Sequence, residues 1–312
     1  MPLVSIVVPV LNEEDALEPF VAQVTPYLAR AGVDWEILFV DDGSTDSTWS
    51  KIGALAHDDG RIRGVRFSRN FGKEAGLTAG LKAAKGDAVI PMDVDLQDPP
   101  DLLETFIGIW RKGEADTVYG KRVSRAADTW LKKQTAGMFY KLFNKIASHK
   151  IEENVGDFRL MDRKVVDAVL ALDEKNRFMK GLFSWVGFRS VGVPYERPPR
   201  LVGTSKFNYW KLWNFALDGI TGFSTLPLRV WTYIGLAVGA VAFFFAIWVL
   251  FKTLVWGPDT PGYPSIMVAL LFLGSVQLVS LGVLGEYIGR LYVESKNRPL
   301  YIVAETVGSC PT

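Results

Sequence analysis

Cysteine and histidine are scarce in this chain of 312 residues, which contains one cysteine and two histidines. The single cysteine, Cys310, excludes an intramolecular disulfide and a cysteine metal cluster. His57 and His149 are far apart in sequence, so the pattern disfavours a zinc site or a histidine-based triad. We expect both histidines to be ordinary surface residues.

Several common sequence signals are also absent. The first apolar run, 3–10, is short, contains Pro9, and is followed by acidic residues where a signal peptide would carry its cleavage site. Neither a G-x-G-x-x-G fingerprint nor a P-loop occurs. The N-terminal part is therefore expected to stay in the cytoplasm.

Apolar residues are abundant: 49% of the chain is hydrophobic, and the net charge is only +1. Most acidic residues lie in the first half, whereas Trp, Phe and unbroken apolar runs are concentrated in the last third. This composition predicts a large core and a division into two parts.

Short apolar segments alternate with helical segments through the first 120 or so residues. The alternation predicts an α/β fold with a mostly parallel sheet covered on both faces, and ligand-binding residues at the strand ends. The predicted strands are 3–10, 35–40, 62–67, 88–92 and 116–119, and the predicted helices are 14–30, 47–56, 73–84 and 102–110.

Two carboxylates separated by one residue, Asp93 and Asp95, follow the predicted strand 88–92, and Gln97 comes shortly after them. Such hard oxygen ligands at a strand end suit Mg²⁺ or Mn²⁺ shared with a diphosphate. Taken alone, the motif is more often a solvated acidic turn that caps a helix, here one starting near Asp101.

Two other predicted strands also end in polar residues, at 9–13 and at 41–44. Asp41 and Asp42 alone would fit a turn and a helix N-cap. Three polar clusters at one edge of a sheet favour a ligand site instead. The segment 69–76 adds basic groups and glycines at the start of a helix, which suits phosphate oxygens.

In order and spacing, the segments 8–13, 40–44, 69–73 and 93–100 resemble family 2 glycosyltransferases of the GT-A fold. Among these, the polyprenyl-phosphate glycosyltransferases are the most similar, over essentially the whole chain. The resemblance implies a nucleotide-sugar donor, a UDP-hexose, and a polyprenyl phosphate acceptor. It places Pro9, Leu11, Glu13, Asp41, Asp42 and Lys73 at the donor, Asp93, Asp95 and Gln97 at the metal and diphosphate, and Asp95 and Asp157 in catalytic roles.

Sugar transfer must stabilise a departing diphosphate, by a divalent ion and by nearby cations. Lys73, Lys121, Arg122 and Arg125 are candidates, although 120–125 also fits a solvated basic loop. By resemblance, Arg200, Ser205 and Lys206 bind the acceptor phosphate, and we assign Arg122 and Arg125 to the same phosphate.

Asp157 follows a glycine among apolar residues, and by resemblance it occupies the position of a catalytic base. A phosphate monoester with a second pKa of about 6 is already largely dianionic at neutral pH, so little proton abstraction is required. Asp157 could therefore orient the acceptor or the sugar. The alternative is a structural ion pair with Arg159 or Arg163.

Four segments point to a membrane. The basic amphipathic stretch 130–147 is predicted to lie on the bilayer surface or to pack on the catalytic domain, and 207–220 carries an aromatic stripe typical of an interface. The uncharged runs 231–250 and 264–284 are long enough to span a bilayer, with a buried core helix as the alternative.

Basic residues flank the two runs on their outer sides, which places both termini in the cytoplasm. The glycines at 235 and 239 permit close helix approach and suggest a homo-oligomer.

The sequence thus predicts a cytoplasmic GT-A domain (1–200), a linker with an interfacial helix (201–228), a two-helix transmembrane domain (229–292) and a cytoplasmic tail (293–312) in the inner membrane. We expect inverting, metal-dependent transfer of glucose from UDP-glucose to undecaprenyl phosphate, with no nucleic-acid partner. The alternatives are a GDP-mannose-using enzyme of the dolichol-phosphate mannose synthase type and an inactive membrane-anchored scaffold.

Overall fold

A computed structural model describes residues 1–123, 155–175, 177–196, 226–256 and 262–308 of the chain. All five strands predicted from alternating apolar segments are present; two have the predicted bounds, and the bounds of the others move by one to three residues. The strands are β1 (Leu3–Val10), β2 (Asp34–Asp41), β3 (Ile62–Phe67), β4 (Ala88–Pro91), β5 (Thr117–Arg122), β6 (Val155–Asp162), β7 (Ser190–Tyr195) and β8 (Val303–Val307).

The helices in the first part of the chain also match the prediction closely. Each connects two strands and begins or ends near a turn-forming residue. The helices of the described residues are α1 (Leu17–Arg30), α2 (Thr48–Asp58), α3 (Lys73–Ala83), α4 (Leu102–Arg111), α5 (Arg163–Leu170), α6 (Met179–Trp185), α7 (Leu226–Trp256) and α8 (Tyr263–Ser295).

The eight strands of the described residues form one sheet, in the order β7-β5-β6-β4-β1-β2-β3-β8. β1 pairs in parallel with β2 and β4, β2 with β3, and β5 with β7. Antiparallel pairing occurs where β6 meets β4 and β5, and where β8 meets β3. The prediction of a mostly parallel α/β sheet is confirmed, and the carboxyl ends of β1, β2 and β4 lie at one edge.

The sheet is covered on both faces, as the unbroken apolar strands predict. Successive residues of β2 alternate between two cores: Ile37 and Phe39 pack with α1 and α4, while Leu38 and Val40 pack with α3. Because side chains alternate across a strand, such a run fills both layers. Burying each of these side chains stabilises the fold by about 1.5–3 kcal/mol.

The C-terminal segment differs from the predicted tail. Val303–Val307 forms β8, which pairs with the edge strand β3. Tyr301 stacks on Phe67 with ring centroids 4.9 Å apart, just ahead of this strand. A five-residue strand whose partner lies more than 230 residues earlier in the chain has no local sequence signal, which explains why the sequence analysis treats it as a tail.

The two long apolar runs are helical and belong to α7 and α8. Within the residues that the structure describes, Phe272–Ser295 is long and apolar enough to cross a membrane, and Tyr233–Phe245 is a shorter apolar stretch. Large apolar side chains such as Phe243, Phe244 and Leu270 are exposed on these helices. The second crossing stays a prediction. The predicted helices 130–147 and 207–220 lie outside the described residues.

Candidate active site

Lys73, Asp93 and Asp157 meet at the carboxyl edge of the sheet. Lys73 is the first residue of α3, Asp93 follows β4, and Asp157 lies on β6. Lys73 Nζ lies 2.6 Å from Asp93 Oδ1 and 3.0 Å from Asp157 Oδ2. The partner of Asp157 is therefore Lys73 rather than Arg163, which instead donates to the carbonyl oxygens of Ala84 and Gly86.

Arg159, the other suggested partner of Asp157, is buried on β6 and donates to Gly156 O over 2.9 Å. Its guanidinium lies 4.2 Å from the centre of the Phe183 ring, a cation–π arrangement. Burial lowers the pKa of Arg159 to about 10, although the charge of Asp157 opposes this effect. The positive charge of Arg159 therefore helps to lower the pKa of Asp157.

Neighbouring charges determine the protonation states of Asp157 and Lys73. Burial alone would raise the pKa of Asp157, but the positive charges of Lys73 and Lys180 lower it to about 2. Burial would lower the pKa of Lys73, but Asp157 and Asp93 raise it above its ordinary value. Asp157 is therefore a carboxylate and Lys73 an ammonium ion at neutral pH, and Asp157 is a weak base.

Glu74, the next residue along α3, is a neighbour that the sequence analysis missed. Its Oε2 accepts a hydrogen bond from the backbone N–H of Met179 over 3.2 Å. Burial and the negative charge of Asp157 raise the pKa of Glu74 to about 7. Glutamate is common at the start of helices, so the sequence around Glu74 does not indicate that its pKa is raised.

The loop that carries Asp95 and Gln97 has a strained backbone. Leu96 has φ of 55°, a left-handed conformation that costs a non-glycine residue about 1–3 kcal/mol. Gln97 N donates to Asp95 Oδ1 over 3.2 Å. Asp101 precedes α4 but makes no side-chain capping bond, which disfavours the interpretation of this loop as a simple capping turn.

Asp93, Asp95 and Gln97 fit a divalent cation. Their side chains offer hard oxygen donors, and Gln97 Oε1 is buried without a hydrogen-bond partner in the described part of the chain. Among those residues, groups of three or more His, Cys, Asp or Glu that could hold a metal do not occur. A site with two carboxylates and one amide oxygen would leave ligand positions for the oxygens of a bound diphosphate.

Asp41 lies fully buried at the end of β2. Its Oδ1 accepts from Ser44 N over 2.9 Å. Its Oδ2 has no hydrogen-bond partner among the described residues, and Arg66 Nε lies 3.5 Å away. A buried acceptor left open in this way is available to a ligand N–H or O–H.

Asp42 has a different role, because both of its oxygens are occupied. They accept from Phe71 N over 2.6 Å and from Gly72 N over 2.9 Å, which holds the basic loop before α3 against the end of β2. Burial raises the pKa of Asp42, although these bonds oppose the effect. Gly43, at φ of 76°, lets the loop approach: a Cβ there would lie 2.6 Å from the backbone of Arg69.

The segment after β1 is tied to the segment after β2. Asn12 N donates to Ser44 Oγ, and Glu13 N donates to Thr48 Oγ1, each over 2.9 Å. Pro9 pairs with Val40 in the sheet. The predicted donor residues Pro9, Leu11 and Glu13 therefore lie beside Asp41, as the common sheet edge implies.

Arg122 is the predicted acceptor-phosphate residue that falls within the described part of the chain. Its Nε donates to Tyr195 Oη over 3.2 Å, and that hydroxyl donates to Asp98 Oδ1 over 3.0 Å. A Cβ on Gly156 would lie 3.1 Å from Arg122 Nη2, so the arginine passes close to the residue before Asp157. The remaining predictions, Arg125, Arg200, Ser205 and Lys206, lie outside the described residues.

The sequence profile of glycosyl transferase family 2 matches residues 5–170, more than half of the chain. The chain belongs to glycosyl transferase family 2. A second profile, described as the GtrB C-terminal hairpin, matches residues 226–291, which include most of α7 and α8.

This family 2 glycosyltransferase has near full-length relatives. It is 55% identical over 300 residues to a bactoprenol glucosyl transferase of Shigella phage SfV, with 96% of this chain and 97% of the relative covered. It is 53% identical over 300 residues to a prophage bactoprenol glucosyl transferase homolog of Escherichia coli strain K12, covering 96% and 98%. A solved glucosyl-3-phosphoglycerate synthase from Mycobacterium tuberculosis, in complex with Mn²⁺ and UDP-glucose, shares 21% identity at a TM-score of 0.45, covering 70% of this chain and 77% of the other.

In this family 2 glycosyltransferase, the structure adds three charged or polar residues that sequence patterns did not single out. Tyr195 ends β7, Lys180 lies on α6, and Glu74 follows Lys73. Tyr195 and Lys180 come from elements more than 80 residues after the D-x-D segment, and neither belongs to a motif. Only the sheet order, which places β7 beside β5, brings Tyr195 to the site.

Proposed function

We propose that this glycosyltransferase transfers glucose from UDP-glucose to undecaprenyl phosphate at the cytoplasmic membrane face. The observation that carries the proposal is the contact of Lys73 with both Asp93 and Asp157, which joins the predicted diphosphate end to the predicted acceptor end. The names of the bactoprenol glucosyl transferases, which are 53–55% identical, support the choice of glucose and of a polyprenyl carrier.

At the donor, Asp93, Asp95 and Gln97 would hold Mg²⁺ or Mn²⁺, which supplies Lewis-acid stabilisation to the departing diphosphate. The Lys73 ammonium lies beside Asp93 and adds positive charge where the leaving group becomes more negative. Asp41 Oδ2 offers an open acceptor for the nucleoside end. The donor would thus lie along the carboxyl edge of β1, β2 and β4.

At the acceptor, an oxygen of the lipid phosphate attacks the anomeric carbon while the bond from that carbon to the UDP oxygen breaks. The configuration inverts, and the products are UDP and a polyprenyl monophosphate sugar. A phosphate monoester with a second pKa of about 6 is mostly dianionic at neutral pH and loses no proton in this step. The low pKa of Asp157 therefore supports an orienting role, through Lys73, over a role as base.

The sheet supports a two-span topology. Strand β8 follows α8 and pairs with β3, which precedes α7 by more than 150 residues. The chain between β7 and β8, which includes α7 and α8, begins and ends in the same sheet, so it would cross a bilayer an even number of times. A span at Phe272–Ser295 therefore supports a second span, which we assign to α7. The proposed domain limits are those predicted from the sequence, with β8 returned to the catalytic domain.

The proposed homo-oligomer has one feature in its favour. Among the described residues, a Cβ added at Gly235 or Gly239 would meet no atom within 4 Å, which supports close approach of another helix to this face of α7.

The test is transfer of radiolabelled sugar from a panel of nucleotide sugars to a short polyprenyl phosphate, with Mg²⁺, with Mn²⁺ and with chelator. We expect a lipid-linked product from UDP-glucose that is lost in chelator. A product from GDP-mannose alone would favour the mannose synthase alternative. Absence of product from every donor, or full activity in chelator, would contradict the proposal.

A further inference from the structure

We infer that Glu305, on the C-terminal strand β8 that follows α8, positions the Asp41 carboxylate of the donor site through Arg66. The inference rests on the proposed function, because it assigns Asp41 to the nucleoside end of UDP-glucose.

Glu305 lies opposite Arg66 in the antiparallel pairing of β8 with β3. One of its oxygens accepts from Arg66 Nη1 over 3.0 Å, and the other accepts from the indole N–H of Trp49 over 3.0 Å. Two donors from different elements thus fix the glutamate in one orientation, although its side chain is 54% exposed.

Arg66 in turn connects Glu305 to the donor site. Its Nε lies 3.5 Å from Asp41 Oδ2, and its Nη2 donates to Ser44 O over 3.3 Å. Asp41 is fully buried and requires a nearby positive charge. Arg66 supplies that charge, yet it stays far enough away to leave Oδ2 without a hydrogen bond among the described residues.

The reason for this distance is that Arg66 is shared between two carboxylates. Without Glu305, the guanidinium would have Asp41 as its remaining acidic partner at this edge and would move onto Oδ2. That oxygen would then be occupied by Arg66 and lost to a nucleobase or ribose donor. Glu305 is thus a positioning residue, which keeps the acceptor of Asp41 open without touching the substrate.

The strand itself is anchored by contacts that do not involve Glu305. Tyr301 stacks on Phe67, Ser68 N donates to Ile302 O, and Val307 packs over Gly64, where an added Cβ would lie 2.8 Å from Val307 Cγ2. Removal of the Glu305 side chain should therefore leave β8 in place. This separation makes the role testable.

The test is binding of UDP and of pyrophosphate to the full-length protein in detergent with Mn²⁺, measured by calorimetry and by inhibition of transfer. We expect Glu305→Ala to weaken UDP binding about 5- to 10-fold, the size of one lost hydrogen bond, with pyrophosphate binding unchanged. In kinetics, KM for UDP-glucose should rise while kcat stays the same.

Two further variants sharpen the result. Glu305→Gln keeps an acceptor for Arg66 and Trp49 and should recover part of the UDP affinity. Thr306→Ser lies on the same strand but, because side chains alternate, on its other face, and should behave as wild type. Equal affinity of Glu305→Ala and wild type for UDP would overturn the inference, as would an equal loss for UDP and pyrophosphate. If wild type forms no lipid-linked sugar, the proposed function fails instead, and UDP binding still tests the link from Glu305 to Asp41.

Discussion

Lys73 Nζ lies 3.0 Å from Asp157 Oδ2, and this contact determines what Asp157 can do in the reaction. With a pKa of about 2, Asp157 is already ionised throughout the neutral range and is too weak a base to control the rate by accepting a proton. Its negative charge instead holds Lys73 beside Asp93.

Asp157→Asn should lower kcat/KM about 10- to 100-fold, because Lys73 loses one of its two carboxylate partners. In a Glu74→Gln background, which removes the neighbouring group whose pKa depends on the charge of Asp157, the shape of the pH–rate profile between pH 5 and 8 should not change, since Asp157 does not titrate there. The measurement is kcat/KM for both proteins across that range. A pH-dependent decrease in kcat/KM that wild type shows and Asp157→Asn lacks would indicate that Asp157 acts as a base after all.

Lys73→Met provides the matched test, since it removes the other member of the pair. If the two residues act as one unit, the double variant should be little slower than the worse single variant. Additive losses would mean that Lys73 and Asp157 act independently.

Asp95→Asn should lower turnover about 100-fold or more, with a higher Mn²⁺ concentration needed for half-maximal activity. The amide keeps one oxygen donor but loses the charge that a divalent ion requires. Metal titrations of transfer, together with Mn²⁺ binding in the presence of UDP, measure the effect. As the control, Asp101→Asn changes an acid that ends the same loop and makes no capping bond to α4. Wild-type turnover and metal dependence in Asp95→Asn would mean that the D-x-D segment is structural.

The sequence predicted those site residues whose positions follow directly from the parallel strands. Asp41 and Asp93 directly follow apolar strands, so the parallel sheet alone brings them to one edge. Sequence patterns could not reveal that Asp157 pairs with Lys73, because β6 enters the sheet antiparallel to β4. Nor could they reveal β8, a short strand that depends on long-range pairing with β3.

Glu74 predicts a pH dependence of stability. Its pKa rises from an ordinary value of 4.5 to about 7 in the folded protein, so the folded state binds this proton more tightly than the unfolded state. The stabilisation that results from this tighter proton binding is fully present below pH 4.5 and is lost as the pH rises through about 7. Glu74→Gln cannot ionise and should retain it.

The measurement is Tm of the purified protein in detergent at intervals from pH 5 to pH 8. Relative to wild type, Tm of Glu74→Gln should increase from pH 5 to about pH 7 and then level off. Glu114→Gln, which changes an exposed acid with 54% side-chain exposure, should show no such trend. A constant difference between Glu74→Gln and wild type would show that Glu74 does not titrate in this window.

Tyr195→Phe should separate the acceptor end from the donor end. The substitution removes the hydroxyl that joins Arg122 to Asp98 but keeps the ring, which lies against Gly120 and Phe158. Loss of one buried hydrogen-bonding group costs about 1–3 kcal/mol, which corresponds to a rise in KM for polyprenyl phosphate of about 5-fold or more. KM for UDP-glucose should be unchanged. Equal rises in both values would show that Tyr195 supports the fold of the site rather than the position of Arg122.

The single cysteine provides a direct test of membrane topology. Cys310 comes three residues after the end of β8, so it should share the side of the membrane that the catalytic domain occupies. A membrane-impermeant thiol reagent should label it in inverted inner-membrane vesicles but not in intact spheroplasts. In a Cys310→Ser background, Asp259→Cys places the thiol between α7 and α8 and should reverse the pattern, because two crossings put this loop on the opposite face. Labelling of both positions from the same side would show that α7 and α8 do not form a spanning pair.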